Sequence, residues 1–204
     1  MNLIRLFLAF SYLTITAGCT TLPKQDAVSS EAAQLLQQAH LQDISQIKLF
    51  TVKGRIGVQA EGKGFSGGLT WQHEPTKDDI ALFSPLGGQV ASIIKTNESV
   101  TLIDAKGNSI SADDAETLTQ KALGWKLPLA GLADWSLGRP SDSPIQASTW
   151  DELGYLSTLK QDGWEIQYQQ YSEQNGHLLP SKVVLRNDKV NLKLLIENWS
   201  NISH

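Results

Sequence analysis

The chain reads as a mainly antiparallel β fold, a barrel or strongly curled sheet with a few helices. Three observations predict it. Apolar and polar residues alternate through short segments at roughly ten-residue spacing, the pattern of half-buried strands. Pairs such as Asp162-Gly163 and Asn187-Asp188 fall where tight hairpins belong. Helical periodicity is confined to the N-terminal part and one central stretch, and the missing strand–helix–strand alternation argues against a parallel sheet. With 204 residues, 41% of them hydrophobic, the chain can bury the core of a single domain.

The first residues, MNLIRLFLAFSYLTITAGC, have the layout of an export signal. Arg5 is basic, and residues 6–17 are apolar but too short to span a bilayer as a mature helix. Residues 1–18 are therefore expected to be a signal peptide. Thr16-Ala17-Gly18-Cys19 resembles a bacterial lipobox, which implies that Cys19 is lipidated and becomes the new N-terminus. An ordinary secretory signal with a chance cysteine is the other reading. Cys19 is the only cysteine, which rules out an intrachain disulfide framework and a cysteine zinc site. Two or more acyl chains anchor stably where one is marginal. Thr20 stands where an aspartate would signal inner-membrane retention, so the analogy points to the outer membrane. Loss of Arg5 on maturation leaves 16 basic against 21 acidic residues, a net of −5. Neither this balance nor the pI of 5.5 suits a nucleic-acid binder that relies on overall basic charge.

Residues 19–28 are read as the lipidated N-terminus and tether, and residues 29–204 as one domain. Ser29 or Ser30 caps a helix expected to run to about Lys48. From Phe50 the period becomes two: Phe50, Val52, Gly54, Ile56 and Val58 share one face. Glu61-Gly62-Lys63-Gly64 turns into a strand with Phe65, Gly67, Leu69 and Trp71 on one face. Further strands are expected at 80–83, 89–96, 99–104 and 109–110. Residues 112–123 form a helix with acidic residues in its first turn, ended by Gly124. A second helix covers 127–137, stopped by Gly138 and Pro140. Polar, proline-containing sequence follows to Ser148, then strands at about 153–160, 163–171, 180–187 and 190–198.

Gly64-Phe65-Ser66-Gly67-Gly68 matches the G-x-S-x-G nucleophile elbow, but that elbow needs a strand before it and a helix after it. Here Ser66 falls in or beside a strand. His40, His73, His177 and His204 have no metal-ligand spacing and read as solvated surface residues. Asp113, Asp114 and Glu116 open a helix, where the helix dipole already accounts for them. Walker and dinucleotide glycine motifs are absent, so no enzyme, cofactor or metal is expected.

Six tryptophans are many for this length. Trp71 shares a strand face with Phe65 and Leu69. Trp164 does so with Ile166 and Tyr168, and Trp135 lies among leucines on a short helix. Such rings either fill a core or wall a cavity suited to acyl chains. Leu86, in Ser84-Pro85-Leu86-Gly87-Gly88, lies where the chain must turn, so it is either covered or protruding.

The pieces that carry a resemblance follow in order along the chain. They are Lys53-Gly54-Arg55, Leu69-Thr70-Trp71-Gln72, Ser84-Pro85-Leu86-Gly87 and Ser111-Ala112-Asp113-Asp114-Ala115-Glu116. Leu127-Pro128-Leu129 through Trp135, Leu137-Gly138 and Pro140 come next. Gly163-Trp164 with Tyr168 and Tyr171, Leu179-Pro180 and Asn198-Trp199 close the pattern. Over about 150 residues this order and spacing resembles the LolB family of outer-membrane lipoprotein receptors.

That resemblance implies a half-open antiparallel β-barrel of about eleven strands, with helices as a lid over an apolar cavity. It implies a non-enzymatic monomer, lipid-anchored in the outer membrane and facing the periplasm. Such a protein receives acylated lipoproteins from a soluble LolA-like carrier and inserts them into the membrane. The expected acyl-cavity residues are Phe50, Val52, Ile56, Leu69, Trp71, Leu82, Trp135, Trp164, Ile166 and Tyr168. Leu86 is the expected membrane-insertion loop and Cys19 the lipidation site. The rivals are a structural or assembly lipoprotein with a filled barrel, and a lipid hydrolase using Ser66.

Overall fold

The computed structural model describes residues 26–60, 62–123 and 126–203, with side chains from Glu31 onward apart from Leu123. The expected signal peptide, Cys19, most of the tether, Glu61, Gly124, Trp125 and His204 lie outside them. Helix α1 spans Asp26–Ser45. Strands β1 (Leu49–Ala60), β2 (Lys63–Glu74), β3 (Lys77–Phe83), β4 (Gln89–Thr96), β5 (Val100–Asp104) and β6 (Ser109–Ala112) follow. Helices α2 (Ala115–Leu123) and α3 (Leu129–Leu137) come next. Strands β7 (Ile145–Trp150), β8 (Leu156–Gln161), β9 (Trp164–Gln174), β10 (His177–Arg186) and β11 (Val190–Ser203) complete the chain.

All eleven strands form one antiparallel sheet in the order β6-β5-β4-β3-β2-β1-β11-β10-β9-β8-β7. The first and last strands are central and paired, β6 and β7 are edges, and the barrel stays half open. The curl requires close backbone approach. At Gly54, beside an irregularity in the β1–β11 ladder, a Cβ would stand 2.0 Å from the Leu195 carbonyl oxygen. Asp162-Gly163 and Asn175-Gly176 have positive φ at both residues, which matches the strand twist across two-residue hairpins.

The expectations differ from the structure at particular places. Helix α1 starts at Asp26, inside the expected tether, and stops at Ser45 instead of Lys48. Helix α2 begins at Ala115 because the Asp114 carboxylate accepts the Thr117 N–H at 2.7 Å and caps it, while Ala112 ends β6. Strand β7 falls in the stretch read as irregular: its first five residues are exposed, so it shows no buried alternation.

The concave face carries one continuous apolar cluster from Ile44 to Trp199, completed by Leu118, Leu127, Leu129, Leu132, Trp135 and Leu137 from the two helices and the segment joining them. A chain beginning at Thr20 retains every residue of this cluster and every strand pairing. At one end of the sheet Asp78 is 3% exposed. Trp71 Nε1 donates to it at 2.9 Å, His73 Nδ1 lies at 2.6 Å and Lys95 Nζ at 3.3 Å. Burial pushes the Asp78 pKa up. The His73 and Trp71 hydrogen bonds and the charges of His73 and Lys95 outweigh that, holding it below the usual carboxylate range.

Asp78→Ala should lower stability at neutral pH by about 3 kcal/mol, because it strands a buried indole N–H and two basic partners. A carboxylate whose pKa falls on folding stabilises above its unfolded value near 3.9 and loses that contribution as pH drops through the folded value. Urea unfolding should therefore show the difference from wild type shrinking below about pH 4; a constant difference would contradict the assignment.

Candidate functional site: an apolar interior under a helical lid

Along β1, β2, β3 and β11 the inward positions are apolar apart from His73 and Asp78 at one end, and α2, α3 and the segment between them cover this face. Beneath the cover lies a void of about 20 Å³ with no polar lining. Ile56, Leu69, Trp71, Ile80, Leu82, Leu192 and Leu194 line it from the sheet, Leu127 and Leu132 from the lid. A space of that size admits roughly one water-sized group. The interior is therefore closed, and an acyl chain enters only if the cover moves.

Ile56, Leu69, Trp71 and Leu82, expected as cavity residues, meet at this void. The other six are buried on the same apolar side but do not line it. Phe50 packs edge-on against Trp71 and Trp199, with ring centroids 5.1 Å apart in each case, and Val52 is fully buried in the same strand. Trp164, Ile166 and Tyr168 lie along β9. The Tyr168 hydroxyl is buried without a hydrogen-bond partner, and burial raises its pKa well above the ordinary value. Ile80, Leu192, Leu194, Leu127 and Leu132 were missed. Ile80 is two residues from Leu82 on the same strand face, so alternation alone could have found it.

Polar contacts pin the lid. Trp135 Nε1 donates to the Gln161 side-chain oxygen at 2.8 Å, and the same amide bonds Ser141 and Ser143. Gly131 leaves room for that indole: a Cβ there would stand 2.5 Å from the ring. Arg139 pairs with Asp134 at 2.8 Å and donates to the carbonyls of Ile44 and Ile47, tying the end of α3 to the end of α1. Toward α2, Thr119 Oγ1 donates to the Ala115 carbonyl and accepts the Leu127 N–H, and Lys126 pairs with Glu116 at 3.3 Å.

Leu86 is 98% exposed. Ser84 accepts the Gly87 N–H at 2.9 Å, closing a turn with Pro85 at its first central position. Leu86 keeps a negative φ and Gly87, at +88°, takes the left-handed position, so the tip is rigid.

Three histidines differ from the solvated reading. His40 is buried between Tyr155 and Tyr171 with Nε2 unpartnered, and burial lowers its pKa. His73 is half-buried against Asp78, and His177 lies 2.9 Å from Asp43. Ser66 is exposed within β2, opposite Gly57, and the strand runs on to Glu74 with no helix after the serine. His73 is seven residues further along that strand, about 23 Å away. This is not a nucleophile elbow. Among the described residues no cluster of three or more metal-ligating side chains occurs.

The comparisons with known proteins agree with one another at the level of sequence. The family model described as outer membrane lipoprotein LolB matches residues 48–199. The outer-membrane lipoprotein LolB of Pseudomonas paraeruginosa is 33% identical over 196 residues, 96% of both chains. That of Ectopseudomonas mendocina is 32% identical over 197 residues, 97% of both. Among solved structures, a LolA superfamily protein from Nitrosomonas europaea aligns with a TM-score of 0.47 and 10% identity, over 84% of this chain and 92% of that one. On the family match and the identity over nearly its whole length, the chain belongs to the outer membrane lipoprotein LolB family.

Proposed function

We propose that this protein receives acylated lipoproteins from a soluble periplasmic carrier and passes them into the outer membrane, by holding and releasing acyl chains without bond chemistry. The observation that carries this reading is an interior lined by nine apolar residues, two of them on the helical cover. Membership of the LolB family supports it and does not favour a purely structural role.

The energetics explain the design. An acyl chain with about 15 buried methylenes gains on the order of 12 kcal/mol from leaving water. Release into solvent is therefore too slow to be useful, and transfer must run from one apolar cavity to another and then into lipid. No external energy source is needed if affinity rises from carrier to receptor to membrane. In this reading the closed interior is the unliganded state, and the lid opens as a chain enters. Ile56, Leu69, Trp71 and Leu82 contact the first methylenes. Phe50, Val52, Trp135, Trp164, Ile166 and Tyr168 are exposed to the chain as the interior widens. Cys19 carries the lipid anchor, and Leu86 is the rigid apolar probe that enters the bilayer. Burying one leucine there contributes roughly 1.5–3 kcal/mol.

The test uses the chain beginning at Thr20, titrated with a triacylated lipopeptide and with the same peptide lacking acyl chains. Saturable one-to-one binding of the acylated form alone, followed by tryptophan fluorescence and native mass, is expected. Binding of neither form would overturn the proposal. Leu86→Glu should keep the lipopeptide affinity and slow delivery to vesicles at least about tenfold. Loss of lipopeptide binding in that variant would make Leu86 part of the cavity instead.

A further inference from the structure

Lys182, Leu195, Arg55, Gly68 and Phe83 stand side by side across β10, β11, β1, β2 and β3 on the outward face of the sheet. Phe83 is the last residue before the Leu86 turn. Two strand spacings, about 10 Å, therefore separate Arg55 from the strand that carries the turn. Lys53 precedes Arg55 on the same face. Lys53, Arg55, Glu197, Ser84, Pro85 and Gly87 line one open groove. Lys193 lies opposite Gly57 in the next register row, and Arg186 opposite Asn191 beyond it.

The face is thus locally basic on an acidic chain. Five cations stand on it: Lys53, Arg55, Lys182, Lys193 and Arg186. The anions near them are Glu197 in the groove, Asp188 beside Arg186, and Glu165, which pairs with Lys160 at 3.4 Å. Lys53, Arg55 and Lys193 are exposed, and Gly57, Ser66, Gly68 and Gly87 offer little side chain to mask them. The Gly64–Gly68 stretch is legible here as the flat part of this face.

We propose that this outward face, with Leu86 at its margin, is a docking surface for anionic phospholipid headgroups: Lys53 and Arg55 engage the phosphates while Leu86 enters the acyl region. The inference deepens the membrane-delivery reading and rests on it for Leu86. Charge complementarity is the argument for the occupant: exposed Lys53 and Arg55 line the groove beside the turn that carries Leu86, whereas the chain as a whole is negative and would be repelled by an anionic leaflet. Each lysine or arginine near such a surface strengthens binding about fivefold. The attraction should fade as salt shortens the screening length from about 10 Å at 0.1 M to about 3 Å at 1 M.

Vesicle sedimentation of the chain beginning at Thr20 tests this, with phosphatidylcholine vesicles compared to vesicles that also contain phosphatidylglycerol. The wild type should prefer the anionic vesicles, and the preference should vanish in high salt. Lys53→Glu with Arg55→Glu should weaken binding to anionic vesicles at least about tenfold, with little change on neutral vesicles and none in lipopeptide affinity. Lys182→Glu with Lys193→Glu should act in the same direction. Lys121→Glu, a single charge reversal on α2, should do nothing. Equal wild-type binding to both vesicle types, or a double variant that keeps its preference, would overturn the proposal. So would variants that bind vesicles normally but accept cargo poorly from the carrier, which would make the face a protein interface. Lipopeptide binding is read separately, so its failure would sink the receptor reading without deciding this one.

Discussion

An eleven-stranded sheet that curls without closing leaves its apolar concave face to be covered by something else. That constraint organises the molecule. Full closure would give an interior sealed by backbone hydrogen bonds and sized by strand number. Here the seal is two nine-residue helices and the segment between them, held mainly by leucines and Trp135. Apolar contact is non-directional, so such a cover can exchange its own side chains for a ligand's methylenes at little net cost.

The polar groups decide where that exchange can happen. Gln161 and Arg139 lock the C-terminal end of α3 to β8, to the segment that follows α3 and to α1. Asp78 locks Trp71 at one end of the sheet. Directional bonds of this kind fix position, because breaking one strands a buried donor or acceptor. In the stretch from α2 to Leu132 the Thr119 hydroxyl plays such a role. The outer face follows a different logic: its glycines keep it flat, and its cations and Leu86 remain in water.

Much of this was legible in the sequence because burial is one-sided. Phe50, Val52, Ile56 and Val58 alternate cleanly, as do Leu69 and Trp71, since each strand has one dry and one wet face. Strand β7 was illegible for the same reason: an edge strand with both faces exposed has no alternation to read. His40 and His73 were misjudged because their partners, Tyr155, Tyr171 and Asp78, come from other elements that local sequence does not bring near. Periodicity marked the apolar side correctly but could not separate the residues around the void from those packed beyond it. That distinction depends on where Leu127 and Leu132 of the lid come down, a matter of tertiary packing. The protrusion of Leu86 needed the turn geometry of Ser84 and Gly87.

On the proposed function, a closed apolar interior opens at its lid to take an acyl chain. The chain beginning at Thr20 has no cysteine, so labels can be placed freely. Spin labels at Lys121 on α2 and Gln72 on the outer face of β2, both exposed, would report the distance between lid and sheet. Saturation with triacylated lipopeptide should lengthen that distance and leave a control pair within the sheet, Gln72 and Asn191, unchanged. Binding with no change in the lid distance would contradict the account.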